Sequence, residues 1–357
     1  MAFINFQPKD YFNTVLYTGN ASTNAITGVG FQPDWLWVKS RSRTDNHRLI
    51  DVLRGTNSIQ SNQNNAQADV SGDGFTSLDS DGFTFNGSGG GGEFNANSGT
   101  YAAWNWRAGN SQGSSNTDGT INTTYTSVNT TAGFSISTYT GNATQGATVG
   151  HGLGAAPKMI IIKSTTNAEA WVVGHQHMNA TNPWDYYLHL HENTAKGQNN
   201  NRFGNVTPTT SVFTLGNEDQ VNSSSKSYVA YCFAEKKGFS KFGEYSANGN
   251  TDGPFIYCGF KPAFVMIKSH SNNSSNWVML DNKRSTTGGS NVMDKWLYAN
   301  SNEAEADQSS NPTDFLSNGF KLRNNGAYLN GSGRSYIYMA FAEEPLVSSN
   351  NIPATAR

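Results

Sequence analysis

Short apolar runs alternate with clusters of Gly, Asn and Ser along the whole chain. The strongest runs, such as residues 159–162, are only a few residues long and are bounded by Lys or Gly. The good helix formers Ala, Leu, Glu and Lys rarely cluster, so long helices are not expected. Turn-forming clusters recur at intervals of about 8 to 12 residues, as they do in β-sandwiches and β-barrels. The pattern therefore predicts an all-β protein.

One block of motifs occurs three times, and we name its occurrences copy one, copy two and copy three. Each block opens with a Tyr-Thr-Gly-Asn turn or a variant of it, at Tyr17, Tyr139 and Tyr245. A Gly and a Pro then precede an apolar strand that ends in Lys-Ser, at Lys39, Lys163 and Lys268. Every block closes with an aromatic strand that begins at Tyr101, Tyr228 and Tyr336. The similar spacing predicts modules of one fold that differ in their loops.

We predict three tandem, diverged β-sandwich modules, at residues 1–108, 132–236 and 237–345. The segment 109–131 is rich in Ser, Asn, Thr and Gly and is predicted to be a flexible linker, and 346–357 a C-terminal tail. The closing strand of each module is largely apolar on both faces, so we expect it to pack against a neighbouring module as well. A ring, a row and a compact trefoil of modules all satisfy this pattern.

Composition narrows the function classes. Charged residues make up only 14% of the chain and the net charge is −2, so the protein lacks the basic field that nucleic acids or anionic membranes require. No apolar run approaches the roughly 20 residues of a membrane span. The first nine residues do not resemble a secretory signal. Cys232 and Cys258 are expected to be buried thiols, although their spacing leaves a disulfide open.

Two His-x-His pairs are candidate metal ligands, His175 with His177 and His189 with His191. Residues two apart on a strand point to the same face and can share a zinc, nickel or iron ion. Four imidazoles would meet if the pairs faced each other across a hairpin or a symmetry axis. The alternative is exposed histidines on a polar loop, because copies one and three have no equivalents. We expect no other cofactor.

Two glycine-rich stretches of copy one are weaker candidates. Carboxylates at Asp69, Asp73, Asp79 and Asp81 lie among glycines, as in calcium loops, but their spacing is irregular and a closing Glu is missing. Asp and Gly also form ordinary turns. The run 87–92 lacks the Gly-Lys-Ser/Thr that ends a phosphate-binding loop, so it is predicted to be a flexible loop.

The sequence shows no convincing catalytic site. A glycosidase needs two carboxylates that flank a groove. Asp51 and Asp281 occupy matched positions in copies one and three, where copy two has Gly174, so they are expected to serve in a turn or in salt bridges with Arg54 and Arg284 instead. No nucleophile elbow with Ser, His and Asp occurs. We therefore expect a protein that is not an enzyme.

Aromatic residues outside the repeated positions are candidates for ligand contacts. Most Trp and Tyr residues recur at matched strand positions and are expected to fill cores. The exceptions lie beside Asn-rich loops, where rings and amides together suit sugar binding. They are Trp184, Tyr186, Tyr187 and Trp296.

The repeated motifs, from about Phe12 to Glu344, resemble uncharacterised repeat domains in virion proteins of marine tailed phages. They are Tyr-x-Gly-Asn, Gly-Phe-x-Pro with a strand to Lys-Ser, Gly-Phe, and Tyr-Val-Ala-Tyr-x-Phe-Ala. The resemblance implies jelly-roll or concanavalin-like sandwiches and a virion protein made in the host cytoplasm. It carries no binding residue over to this chain.

The function implied is that of a tail or fibre component for host-surface adhesion, or of a capsid decoration. We expect a homo-oligomer, of which a trimer is one form. The expected partners are other virion proteins and a host-surface glycan. The alternatives are an array of carbohydrate-binding modules without a virion role and, third, a glycan-cleaving enzyme.

Overall fold

The computed structural model describes residues 7–72, 74–87, 92–286 and 291–344, and β-strands dominate it. The all-β prediction is confirmed. Each helix there is a single turn: 3-10 turns at Pro8–Asp10 and Pro183–Asp185, α1 at Gly92–Asn95 and α2 at Asp219–Asn222. Within these ranges no helix has the length and apolar character needed to cross a membrane. The predicted tail, 346–357, lies outside the described residues.

Copy one forms a large and a small antiparallel sheet. Its strands are β1 (Phe12–Thr18), β2 (Asn24–Ile26), β3 (Trp35–Ser40), β4 (Arg48–Asp51), β5 (Asn57–Ile59), β6 (Ala68–Asp69), β7 (Phe75–Asp79), β8 (Gly82–Phe85) and β9 (Thr100–Trp106). The large sheet has the order β1-β9-β3-β4-β5-β6, and the small sheet has the order β2-β8-β7.

Copy two has one strand added at one edge of its large sheet, and at the other edge the sheet ends at its fourth repeated strand. Its strands are β10 (Thr123–Asn129), β11 (Phe134–Thr140), β12 (Thr148–Gly150), β13 (Met159–Ser164), β14 (Val172–His175), β15 (Tyr186–Tyr187), β16 (Gly197–Gln198), β17 (Val212–Thr214) and β18 (Ser227–Phe233). The large sheet has the order β10-β11-β18-β13-β14, and β12 pairs with β17 and β15 with β16.

Copy three again forms a large and a small sheet. Its strands are β19 (Ser240–Ser246), β20 (Phe255–Tyr257), β21 (Pro262–Ser269), β22 (Val278–Asp281), β23 (Val292–Met293), β24 (Lys295–Tyr298), β25 (Ala306–Asp307), β26 (Thr313–Leu316), β27 (Gly319–Leu322) and β28 (Ser335–Ala342). The large sheet has the order β19-β28-β21-β22-β24-β25, and the small sheet has the order β20-β27-β26-β23.

Strand alternation divides the apolar residues between two kinds of core. In β3, Leu36 and Val38 face the small sheet of their own copy, whereas Trp35 and Trp37 face away from it. The outward faces of all three large sheets meet in one central core. Ring pairs that join different copies there include Trp35 with Tyr231, whose centroids are 4.5 Å apart, and Phe12 with Phe341, at 5.3 Å. The copies therefore pack as a compact trefoil.

The closing strands β9, β18 and β28 are buried on both faces, as the sequence predicted. In β18, Tyr231 belongs to the central core and Cys232 to the core of copy two. Both cysteines are free and buried, so the predicted thiols are confirmed.

The prediction that 109–131 is a linker is wrong for its second half. Strand β10 lies within this segment and pairs along β11, with Ser127 opposite Ile136. Upstream, Ile121 bridges Val149 of β12 in parallel. The segment folds because two sheet edges of copy two offer it backbone partners, a contribution that local composition does not report.

In each copy the residue just before β4, β14 or β22, the strand that follows the Lys-Ser strand, forms a hydrogen bond to another copy. The Trp171 indole N–H of copy two donates to the carbonyl of Gln60 at 2.9 Å, and the Trp277 indole of copy three donates to that of His189 at 3.0 Å. In copy one the position is His47, whose Nε2 lies 2.9 Å from the carbonyl oxygen of Tyr298. These bonds form a closed ring in one direction, from two to one, one to three and three to two.

The repeated lysines are fully buried, one at the end of each Lys-Ser strand, at positions 39, 163 and 268. The ammonium groups of Lys39 and Lys163 donate to the carbonyls of the next residues, Ser40 and Ser164, at 2.6 Å each, and that of Lys268 donates to the carbonyl of Ser275 at 2.5 Å. Burial lowers the pKa of Lys39 to about 8 and the pKa values of Lys163 and Lys268 to about 7.

Candidate functional site

The first predicted histidine pair lies where copies two and three meet. His175 is fully buried at the end of β14, and its Nδ1 accepts the backbone N–H of His177 at 3.2 Å. Burial lowers the pKa of His175 to about 3. The His177 ring is half-buried and its Nδ1 lies 3.4 Å from Glu244 Oε1 of copy three. His175 therefore belongs to the packed interior, while His177 reaches a surface.

The second predicted pair lies beside one carboxylate. His189 Nδ1 and His191 Nε2 lie 3.2 and 3.4 Å from the oxygens of Glu192. Across residues 7–72, 74–87, 92–286 and 291–344, no group of three or more His, Cys, Asp or Glu side chains is placed to hold a metal ion. The structure thus does not bring the four imidazoles together within one chain.

Two of the four predicted aromatic contacts are wrong. Trp184 and Trp296 are each 2% exposed and belong to the cores of copies two and three, so no ligand can stack on them. Tyr186 and Tyr187 are half-buried, but a cationic side chain of the same chain lies over each ring. Lys196 lies 4.9 Å from the first ring centroid and Arg202 3.8 Å from the second. Cation–π contacts therefore already occupy one face of each ring.

The carboxylates of copy one accept hydrogen bonds within and between turns. Asp81 accepts the backbone N–H groups of Gly28 and Gly30 at 3.1 and 2.6 Å. Asp79 accepts the hydroxyls of Ser77 and Thr84 at 2.7 and 2.6 Å. These bonds support the turn interpretation over the calcium loop. Asp73, and residues 88–91 of the glycine run, lie outside the described residues.

Strand register corrects the position matched to Asp51 and Asp281. Asp51 lies opposite Trp35 and Asp281 opposite Phe264, and the residue opposite Met159 at the same place in copy two is His175. Gly174 is therefore matched to Ile50 and Leu280 and was wrongly aligned with the aspartates.

Both aspartates form buried ion pairs, as expected. Asp51 lies 2.7 Å from Arg54, and Asp281 lies 2.6 Å from Arg284. Each also accepts a donor from another copy, the Tyr231 hydroxyl at 2.7 Å and the Trp104 indole at 2.9 Å. At the third interface the aspartate and arginine places hold His175 and Met178 of copy two and the donor place holds Met339 of copy three, which supply neither the ion pair nor the donor. The aspartates are parts of the packing and are out of reach of a substrate.

Two aromatic side chains that the sequence did not single out are the most exposed rings among the described residues. Phe255 and Tyr257 of β20 are 43% and 64% exposed, in a chain that buries most of its rings. They line a cleft of about 360 Å³ together with Gly243 and Glu244 of β19 and Tyr338 of β28. His177 of copy two also lines it. We call this the copy-three cleft.

The chemistry of the copy-three cleft suits binding. Its walls present ring faces and the Tyr338 side chain, and its rim carries the pairs Glu244 with His177 and Lys241 with Glu235. Gly243 is required because a Cβ there would lie 2.5 Å from the Tyr338 hydroxyl. Neutralised charges beside exposed rings offer stacking and hydrogen bonds rather than a strong field.

Comparison among the copies would have revealed this site from the strand register. Ile256 pairs with Phe320 of β27 as Ile26 does with Phe83 and Val149 with Phe213. The flanking positions, which are Phe255 and Tyr257 in copy three, are Ala25 and Thr27 in copy one and Thr148 and Gly150 in copy two. The rings are therefore not needed by the fold that the copies share.

Residues 7–345 match the family described as a domain of unknown function, DUF7483. The chain belongs to this family. The match spans all three copies, so the DUF7483 unit is the whole trefoil and includes the copy-three cleft. Searches among curated proteins and among solved structures found no match.

Proposed function

We propose that this DUF7483 protein is a structural protein of a tailed-phage particle, either a tail or fibre component for host-surface adhesion or a capsid decoration. The sequence resemblance described above suggests the virion setting. A trefoil with one shared core and rings buried throughout suits a durable particle component. Binding takes place at the copy-three cleft.

The observation that carries this proposal is the exposure of Phe255 and Tyr257 in one copy alone. An exposed aromatic pair that the fold does not need lowers solubility unless a partner covers it. The shared carboxylates Asp51 and Asp281, in contrast, are buried in ion pairs. This contrast favours attachment over catalysis, and glycan cleavage stays the third candidate.

The test is the presence of the protein in purified particles. Mass spectrometry of gradient-purified phage should find the chain at a fixed number of copies per particle, and labelled antibody should locate it on tail or capsid. Its absence from intact particles would exclude the proposal. Light scattering of the purified protein, with and without a chelator, tests the expected homo-oligomer, and dissociation by the chelator would implicate His177, His189 and His191, since His175 is fully buried.

Carbohydrate binding without a virion role is the second candidate, favoured by the same two rings, because ring faces stack on sugars. Tyr257→Ser should then weaken binding of a glycan-array hit at least tenfold. Tyr125→Ser removes another exposed ring, 39% exposed on β10 and outside the cleft, and serves as the matched control. Equal binding by both variants would exclude the cleft as a glycan site.

A further inference from the structure

The chain itself shows what fits the groove between the two sheet edges of a copy. In copy two, β10 adds to β11 at the edge of the large sheet. Just upstream, the Ile121 N–H donates to the Thr148 carbonyl at 2.9 Å, at the edge of the small sheet. One extended segment therefore bonds to both edges and fills the space between them.

The copy-three cleft is the same groove without such a segment. Tyr245 of β19 lies opposite Tyr336 as Tyr139 of β11 lies opposite Tyr228, so β19 matches β11. By the pairing described above, β20 matches β12. The cleft lies between β19 and β20. Among the described residues β19 has β28 as its only strand neighbour.

The free edge of β19 is capped at one end. The Phe242 carbonyl accepts the Gln176 amide at 2.7 Å, and the Phe242 N–H approaches Glu235 at 3.4 Å, so its backbone groups point away from β28. Backbone groups two residues apart along a strand point the same way, which directs those of Glu244 and Ser246 to the same open side. The edge is thus available for pairing from Gly243 to Ser246.

We propose that the copy-three cleft binds an extended segment of a partner protein, which adds to β19 as an antiparallel strand. This inference rests on the proposed binding role of the cleft and names its partner class. Strand addition to a free sheet edge is an established mode of peptide recognition, in which backbone bonds supply affinity and side-chain pockets supply specificity.

The copy-two segment also indicates which side chains fit. There the hydroxyls of Thr126 and Ser137 lie 3.0 Å apart, and Ser137 reaches the Gly150 carbonyl at 3.3 Å. In copy three the places of Ser137 and Gly150 hold Gly243 and Tyr257. The Tyr338 ring covers Gly243 in copy three, so a small hydroxyl or β-branched side chain of the partner strand contacts the rings of Tyr338 and Tyr257 there.

The probe is a fluorescent synthetic peptide with the sequence of residues 119–130, added to the intact protein. The copy-two groove is already filled within the chain, whereas β19 of copy three and β1 of copy one are both edge strands, so variants of β19 assign the binding to copy three. Fluorescence anisotropy should show saturable binding, whereas a peptide of scrambled sequence should bind at least tenfold more weakly.

A pair of variants at one exposed position tests the backbone bond. Glu244→Pro removes the edge N–H, which a free strand edge tolerates, whereas Glu244→Ala removes only the side chain. We expect Glu244→Pro to weaken peptide binding at least tenfold relative to Glu244→Ala. Equal affinities for two folded variants, judged by their thermal unfolding, would contradict strand addition.

Hydrogen exchange of the unmodified protein gives a second test that does not depend on a variant folding. The peptide should slow exchange at Glu244 and Ser246 at least tenfold, and unchanged exchange at saturation would overturn the inference. If the peptide fails to bind but a glycan binds and is lost in Tyr257→Ser, the strand proposal is wrong and the binding role of the cleft stands. If neither binds, both are wrong.

Discussion

Each copy buries a lysine whose ammonium is bonded to backbone carbonyls, and this determines how stability depends on pH. Lysine in an unfolded chain titrates near 10.4. The folded-state pKa values of Lys163 and Lys268 are lowered to about 7, and that of Lys39 to about 8. Between these values and about pH 10, the unfolded chain binds more protons than the folded chain, so stability rises with pH.

We expect the free energy of unfolding to increase from pH 7 to pH 9.5, by up to about 1.4 kcal/mol per pH unit for each lysine that titrates. Urea denaturation at several pH values measures the slope. Lys163→Met removes one titrating group and should reduce it, and the exposed Lys237→Met is the control that should leave it unchanged. A slope that falls with pH would contradict this assignment.

At the scale of strands, the three contacts between neighbouring large sheets use two different sets of buried side chains. Two of the interfaces bury an aspartate, an arginine three residues later and a donor from the next copy, as at Asp51, Arg54 and Tyr231. The third buries His175, Met178 and Met339. All three members change together because a buried carboxylate without its arginine and its donor is strongly unfavourable.

His175→Asp should therefore destabilise the protein by about 3–5 kcal/mol, because it buries a carboxylate beside two methionines. Adding Met178→Arg restores the ion pair of the other copies and should recover more than half of this loss. The measurement is urea denaturation at pH 7 of the two variants and the unmodified chain. A double variant less stable than His175→Asp alone would show that the interfaces are not interchangeable.

Strand alternation and the threefold motif were readable in the sequence because they depend on local periodicity. Strand β10 was not, since its Thr, Ser and Asn side chains carry no apolar alternation and its pairing comes from the free edge of β11. Trp184 and Trp296 misled for the opposite reason, because sequence position does not report burial. The aromatic pair of β20 could be recognised only after the copies had been aligned by the register of their strands. The wrong alignment of Gly174 with the aspartates had the same cause, because the sequence alone does not give that register.

At the scale of the whole molecule, the central core makes the copies depend on one another. Each large sheet contributes a face of large apolar side chains, including Met159, Ile161 and Val173 from copy two. A copy on its own would expose that face to water, which opposes folding in proportion to the apolar area.

The fragment 109–236, which includes β10, should therefore fail to fold alone, although it contains every strand of copy two. We expect no cooperative thermal transition by circular dichroism and aggregation at micromolar concentration, with the full chain measured in parallel. A cooperative transition in the fragment would show that its own core, around Phe213 and Leu215, is sufficient.

The one-way ring of donors from Trp171, Trp277 and His47 is the contact pattern of a cyclic trimer of identical subunits. In such a trimer every substitution appears three times, so a new surface cannot arise without two unwanted duplicates. A continuous chain removes that constraint, since each third mutates separately while the shared core keeps its symmetry. Within the described residues the aromatic cleft occurs in copy three alone, so a partner bound there as proposed would hold the molecule by one side and in one orientation.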